Sequence, residues 1–413
     1  MIDALFTRIA GKPELEHEAP NGLRHVAALT MTKLADGLID PKLVLAWLFT
    51  ALAVPTGFIS ALVPIREAGA LLPQLWLATR LEAMTQRKWM WVVGSVGQGI
   101  AAAAIAFAAL RLEGAAAGWV IVVALAVLAV SRAAASVSYK ELLGKSVGES
   151  RRGAVTGMAG SLSAAGVVVF ALLLVGGVLK GQVALAGAVA LAAALWLVSA
   201  LIFVTLQESP SKPDRSGRIG AVLLLLRDDK RLARFVVARG FLVATALSPP
   251  YIVLIAGEGE SSIGDLGFLV IASSAAAFLS TYAWGRMADR SSRRVLILSG
   301  LLGAAAMVGA VTLSWLGLAE SVWAMPAALF LLMIAHHGVR QGRSIFIVDM
   351  APEGRRGSYA AAANTVIGVL LLVAGAGGGL LSMLGPEATL IGFAGLAVTG
   401  AAIAAGLPEV GGG

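Results

Sequence analysis

Apolar runs of about 20 residues recur from Thr30 almost to the end of the chain, separated by short charged or Gly/Pro-containing breaks. A run of that length crosses the roughly 30 Å hydrocarbon core of a bilayer as a helix. The runs are uniformly apolar rather than alternating, and backbone polar groups in a bilayer need partners within their own segment. The pattern therefore predicts α-helices and not barrel strands. It gives twelve spans, near 30–52, 57–80, 88–110, 117–143, 153–179, 182–206, 234–256, 263–286, 294–317, 321–347, 357–384 and 387–407. The expected fold class is an all-α integral membrane protein, about twelve transmembrane helices in two pseudo-symmetric six-helix bundles. Residues 1–29 form an N-terminal tail, 30–206 and 234–407 the bundles, 207–233 a linker and 408–413 a short C-terminal tail. A short apolar stretch in the linker, Ile219–Leu226, is too brief to span and reads as an interfacial helix.

Charge fixes the orientation. With the amino terminus inside, the outer loops carry only Arg111 and Lys180, whereas the inner loops and tail carry basic residues such as Arg24, Arg87, Arg151, Arg152, Arg215, Arg290, Arg293 and Arg356. This asymmetry predicts both termini in the cytoplasm of a bacterial-type inner (cytoplasmic) membrane. Composition agrees: 58% hydrophobic residues and 14% charged, with a mean hydropathy of +0.85, exclude an ordinary soluble enzyme. The net charge of +8 is what basic inner loops supply, so no nucleic-acid partner is inferred. The absence of cysteine excludes disulfides and thiol-based metal or redox chemistry. Residues 1–29 have no continuous apolar core, so a cleaved signal peptide is not expected.

The two halves repeat. Thr79-Arg-Leu-Glu-Ala-Met-Thr-Gln-Arg-Lys88 aligns with Gly285-Arg-Met-Ala-Asp-Arg-Ser-Ser-Arg-Arg294, Ser150-Arg-Arg-Gly153 with Gly354-Arg-Arg-Gly357, and Asp40-Pro41 with Ser248-Pro249. A near-constant spacing of about 206 residues across most of a half indicates duplicated architecture. It also places Asp36, Asp40 and Lys42 inside the first span.

Gly285-x-x-x-Asp289-Arg290-x-x-Arg293-Arg294 resembles the signature loop between helices 8 and 9 of the major facilitator superfamily, and Asp349-Met-Ala-Pro352-Glu-Gly-Arg-Arg-Gly357 resembles its segment between helices 10 and 11. With the helix count, linker and repeat, the resemblance covers residues 30–407. The second signature glycine is replaced by Ser292. In the amino half Thr79, Ala83 and Met84 stand for the glycine, acid and base, while Arg87 and Lys88 remain. The resemblance implies a secondary transporter in which helices 1, 4, 7 and 10 line a central path. It also implies that Gly285, Asp289, Arg290, Arg293 and Arg294 act as a conformational latch.

Charges inside spans cost roughly 2.5–3.5 kcal/mol each and ask for a partner, a wet cavity or a function. Helix 1 offers Asp36 and Asp40 on one face, with Lys33 and Lys42 nearby; helix 2 offers Arg66 and Glu67. One reading is a neutral structural network, Arg66 with Asp40 and Glu67 with Lys42. The other is a proton-coupling group made of Asp40 first, then Asp36 and Glu67, with Arg66. On helix 10, His336, Arg340 and Arg343 share a stripe, opposite Arg132, Ser136 and Tyr139 of helix 4 through the repeat. Arg343 and Arg340 also read as side chains reaching the cytoplasmic interface. Arg132, His336, Arg340, Tyr139 and Tyr251 are the candidate substrate-binding residues. Gln74, Gln98 and Asn364 are further hydrogen-bonding candidates that read equally as helix-packing groups. Gly153/Gly157 and Gly375/Gly379 have the spacing of close helix contacts. No metal site and no cofactor are expected: adjacent histidines diverge on a helix, and no G-x-x-x-x-G-K-[ST] loop is present.

The sequence thus points to a monomeric, non-enzymatic secondary transporter that moves a small solute, anionic or polar, by alternating access. Its partners are the solute, protons and the lipid bilayer. Proton-driven multidrug efflux, and a non-transporting assembly factor or receptor on a transporter fold, are the alternatives.

Overall fold

The computed structural model describes residues 2–213, 225–257, 263–352 and 356–409, and every regular element among the described residues is a helix. In chain order they are α1 (Ile2–Ala10), α2 (Glu18–Leu38), α3 (Val44–Ala51), α4 (Ile59–Leu71), α5 (Gln74–Glu82), α6 (Lys88–Arg111), α7 (Gly114–Ser146), α8 (Glu149–Val175) and α9 (Gly181–Val204). After the linker come α10 (Lys230–Leu242), α11 (Ala244–Leu247), α12 (Pro249–Ala256), α13 (Ile263–Trp315), α14 (Ala324–Met350), α15 (Arg356–Ser382) and α16 (Pro386–Ala405). The first crossing is α2 with α3, the second α4 with α5, the seventh α10 to α12, and α13 makes both the eighth and the ninth. Helices α6 to α9 and α14 to α16 cross singly and the nine-residue α1 does not cross, so the described helices give the twelve crossings expected. The stretch Ile219–Leu226 falls largely outside the described residues.

The breaks within crossings have local causes. Ile39 still donates its amide to Ala35 at 3.2 Å, but Pro41 has no amide and its ring disfavours helical backbone at Asp40, so the chain stays unwound until Val44. The seventh crossing is interrupted at Val243 and again at Ser248, where Pro249 and Pro250 take the first positions of α12. These interruptions stand at corresponding points of the two halves, the arrangement that marks a binding region in repeat-built transporters. Within α13, Ser291 is extended (φ −163°, ψ 96°), and its Oγ accepts the Arg294 amide at 3.1 Å, starting the ninth crossing. The first crossing begins earlier than its hydropathy suggests, because α2 extends back to Glu18.

The chain forms two compact units. One holds Met1–Asp40, Pro73–Phe170 and Gly181–Gly217; the other holds Pro41–Leu72, Ala171–Lys180 and Arg218–Gly413. In the first, α6 packs between α7 and α9. Glycine makes this approach feasible: a Cβ on Gly94 would lie 2.6 Å from the Ser131 carbonyl. In the second, α4 packs on α15 and the two arms of α13 on α14. Of the two expected glycine pairs, only one is a contact. A Cβ on Gly375 would sit 2.1 Å from Pro64 Cγ and one on Gly379 2.8 Å from Ser60 Oγ, whereas Gly153 and Gly157 face open space. Large apolar side chains such as Phe107, Trp119, Phe278 and Val373 remain exposed, as a lipid-facing surface requires.

Candidate functional site

In the first unit, the helical periodicity of α7 puts Arg132, Ser136 and Tyr139 on one face, and α2 presents Thr32, Lys33 and Asp36. Together with Trp91 and Gln98 of α6 they line a cavity of about 160 Å³. Arg132 Nη1 forms an ion pair with Asp36 Oδ1 inside it. The pair is only partly buried, with the Arg132 side chain 40% and the Asp36 side chain 21% exposed. The rest of the lining is short of partners: the Tyr139 hydroxyl and Gln98 Oε1 are buried with no hydrogen bond among the described residues. The carboxylate that answers Arg132 is thus Asp36 of α2, and the cavity joins one substrate candidate, Arg132, to one proton candidate, Asp36. Asp40 lies in the unwound segment after α2, partly exposed.

In the second unit, His336 is buried on α14. Thr245 Oγ1 donates to the Leu242 carbonyl at 3.0 Å, so towards His336 Nδ1, 3.5 Å away, it acts as acceptor. The ring then carries its proton on Nδ1 and offers the Nε2 lone pair to Lys42 Nζ at 3.0 Å. His336 is thus a neutral acceptor, and the cation at this point is Lys42. Arg340 and Arg343 lie within Coulombic reach of the same ring. Glu67 of α4 lies within reach of Arg343 and of Arg239 on α10. Arg239 is buried and donates to Asn364 Oδ1 at 3.0 Å, and Arg66 is also buried. Tyr251 is buried on α12, edge-on to Phe393 with ring centroids 5.7 Å apart.

The loops carry further networks. In the decayed amino-half loop, Arg87 pairs with Glu141. Glu208, its side chain 1% exposed, accepts the amides of Arg87 at 3.0 Å and Lys88 at 2.8 Å and so caps α6. Ala83 and Met84 are thereby bypassed, with α7 and the linker supplying the carboxylates. In the carboxyl half, Arg293 reaches the Leu407 carbonyl at 3.1 Å and Glu409 at 2.6 Å; Gly285 has open space around it and Arg290 and Arg294 are exposed. The Asp289 side chain lies outside the described residues. Near the start of α15, Tyr359 donates to Asp229 Oδ2 at 2.9 Å. Burial raises the Asp229 carboxyl, yet hydrogen bonds from the Leu232 amide, Tyr359 and the Arg231 amide outweigh it and hold the group below its usual range.

Three residues of these sites escape the sequence reading. Arg239 lies within an apolar span, and the rule applied to Arg66 would have found it. Thr245 gives no signal in sequence. His25 precedes the first apolar run, yet it is fully buried on α2.

Comparison with known proteins gives the fold a name. Residues 235–410 match the sequence model of the Major Facilitator Superfamily. Among solved structures, a D-xylose-proton symporter shares the fold with a TM-score of 0.71 at 13% identity, over 94% of this chain and 98% of that one. The nucleoside transporter NupG gives 0.69 at 13% identity, over 94% and 99%. The xylose transporter XylE from E. coli, in an inward open conformation, gives 0.68 at 11% identity, over 94% and 96%. No curated protein matches the chain in sequence.

Proposed function

We propose that this chain, a polytopic membrane protein of the major facilitator fold whose carboxyl half carries that superfamily's sequence, is a secondary transporter coupling entry of a small anionic or polar solute to a proton. The observation that carries the reading is the Asp36–Arg132 pair lining the cavity of the first unit. While Asp36 is ionised it neutralises Arg132. When Asp36 takes up a proton, the guanidinium loses its counter-charge in a partly dehydrated cavity, and a negative or strongly polar solute group can replace it. Proton and solute then stabilise one another. At an effective dielectric of about 20 a contact pair is worth about 4 kcal/mol; the 40% exposure of Arg132 reduces this to about 1 kcal/mol, the low end of the usual coupling energies. The neighbours named for xylose and protons or for nucleosides support the class of process and not the identity of the solute.

The cations around His336 favour a solute with negative or hydrogen-bond-accepting groups. Localisation follows the same reading: an inner-membrane protein with both termini and the 207–233 linker in the cytoplasm, and Asp289 with its neighbouring arginines serving as the latch. A solute found by thermal-shift screening would be followed in proteoliposomes. Asp36→Asn is expected to lose accumulation driven by a pH gradient while keeping counterflow exchange. Normal gradient-driven accumulation by a well-folded Asp36→Asn protein overturns the assignment.

A further inference from the structure

The cations of the second unit continue beyond the ring of His336. Arg239 stands nine residues into α10, Asn364 eight residues into α15 and Arg343 seven residues before the end of α14. At 1.5 Å per residue each lies about 11–14 Å inside its helix. Consecutive crossings alternate in direction, so these three helix ends lie on one side of the membrane and the three side chains share a depth. Arg239 is 5% exposed. Its Nη1 donates to Asn364 Oδ1 at 3.0 Å, while its Nε is buried with no hydrogen bond among the described residues. Glu67 of α4 lies within Coulombic reach of both Arg239 and Arg343, and Arg340 within reach of Arg343. Three guanidinium groups thus face one carboxylate, with the Lys42 ammonium beyond them at His336.

A structural ion pair with Glu67 needs one arginine; the other two are surplus to it. Guanidinium groups keep their charge in proteins, so the surplus of at least two positive charges is not shed by titration, as a lysine or histidine would shed it. A cation within a span needs an anion, water or a function. The group is also open to a solute: Glu67, Arg343 and Asn364 are half-buried and Arg340 is exposed, leading in to the buried Arg239. Arginine presents a planar fork of donors that fits carboxylate and phosphate oxygens.

We propose that Arg239, Arg340 and Arg343 bind a solute carrying at least two negative charges, an inference that rests on the transporter reading and narrows its anionic or polar solute to a dianion. Glu67 holds part of the positive charge while the site is empty, and Asn364 orients the Arg239 fork. Two acidic groups on the solute bring the three arginines and Glu67 to balance. One acidic group leaves a cation unanswered within the span, and an uncharged solute leaves two.

The test uses probes that differ in charge and hardly in shape: succinate, succinamate and succinamide, which carry two, one and no negative charges at about pH 8, with inorganic phosphate as a compact dianion. Binding to the purified full-length protein in detergent would be read from the shift of its thermal transition at constant ionic strength. At least one dianion is expected to bind about tenfold or more tightly than succinamate, the value of one further charge-assisted contact, and succinamide should give no shift. The order of succinate and phosphate tells a dicarboxylate solute from a phosphate one. Arg340→Gln, at an exposed position, should bring that dianion and succinamate to within about threefold, and Arg343→Gln should do the same. Equal shifts across the series, no shift with either dianion, or an unaltered preference in both variants overturns the proposal. The transporter reading fails separately. If a bound dianion is neither accumulated nor exchanged by proteoliposomes, transport is refuted and the site stands; if the protein accumulates only monoanionic or uncharged solutes, transport stands and the dianion site is refuted.

Discussion

Gly375→Ala should separate two helices that Gly153→Ala leaves alone. A Cβ at 375 would lie 2.1 Å from Pro64 Cγ and 2.8 Å from Pro64 Cβ, where ordinary contact begins at 3.4 Å. The pyrrolidine ring is fixed to its backbone and cannot swing aside, so α4 and α15 must part by more than an ångström. A gap of 0.5–1 Å already forfeits about a quarter to a half of each dispersion contact. The same interface holds Gly379 against Ser60 and Gly368 against Leu72, so the loss spreads along it. Overpacking of this kind costs about 1–3 kcal/mol, against about 1 kcal/mol of helix propensity gained by replacing glycine. The net expectation is a destabilisation of up to about 2 kcal/mol. Gly153 has nothing within 4 Å, so there only the propensity gain remains and stability should hold or rise. Intrinsic tryptophan fluorescence on heating in detergent, with nine tryptophans as reporters, would show a lowered transition for Gly375→Ala only. Equal transitions for the two variants would refute the packing argument.

Three further outcomes follow from the geometry. Lys42→Met leaves the buried Nε2 of His336 without its donor and should cost about 1–3 kcal/mol; Lys42→Arg should recover part of this in the same melting assay. Glu18 is buried; burial raises its carboxyl, but hydrogen bonds from Arg151 and the amides of Glu14, Leu15 and Gly148 prevail and lower it to about 2. With a depressed folded pKa, its contribution to holding the turn at residues 14–18 against Gly148 and Arg151 is complete above the ordinary carboxylate range of about 4.3 and lost as pH falls towards 2. Hydrogen-exchange protection of the Glu14, Leu15 and Gly148 amides, corrected for intrinsic rates, should therefore be flat from about pH 5 to 8 and lowered by Glu18→Gln. Ser209→Cys, in this cysteine-free chain, should react with impermeant maleimide only from the cytoplasmic side; labelling from outside refutes the orientation.

How much was legible depends on whether the signal is local. Span positions were, because lipid imposes a continuous apolar run: α6 begins at Lys88 and α16 ends at Ala405, within two residues of the hydropathy reading. The break after Asp40 was half legible, since proline announces it. The Asp36–Arg132 pair was not: both residues stood out as charges in spans, but 96 residues separate them, and helix periodicity fixes a face without naming the helix opposite. Gly153/Gly157 and Gly375/Gly379 have the same spacing, and only the neighbours distinguish open space from a proline ring. His25 and the start of α2 were hidden because tertiary burial, and not local hydropathy, takes Glu18, Asn21 and His25 out of water.

The charges are apportioned unequally between the units, and this bears on the transport reaction proposed above. In the first unit Asp36 answers Arg132, with Lys33 lining the same cavity, so adding a proton to Asp36 leaves Arg132 without its counter-charge. Around His336 the balance is already positive, with Lys42, Arg340 and Arg343 all within Coulombic reach of the ring and Glu67 answering Arg343. A region rich in cations attracts negative solute groups whatever the pH, whereas a neutral pair does so only once protonated. Solute affinity should then depend on Lys42 and Arg340 at every pH, and its pH dependence should depend on Asp36. If removal of Lys42 abolished the pH dependence while Asp36→Asn spared it, the two roles would have to be exchanged.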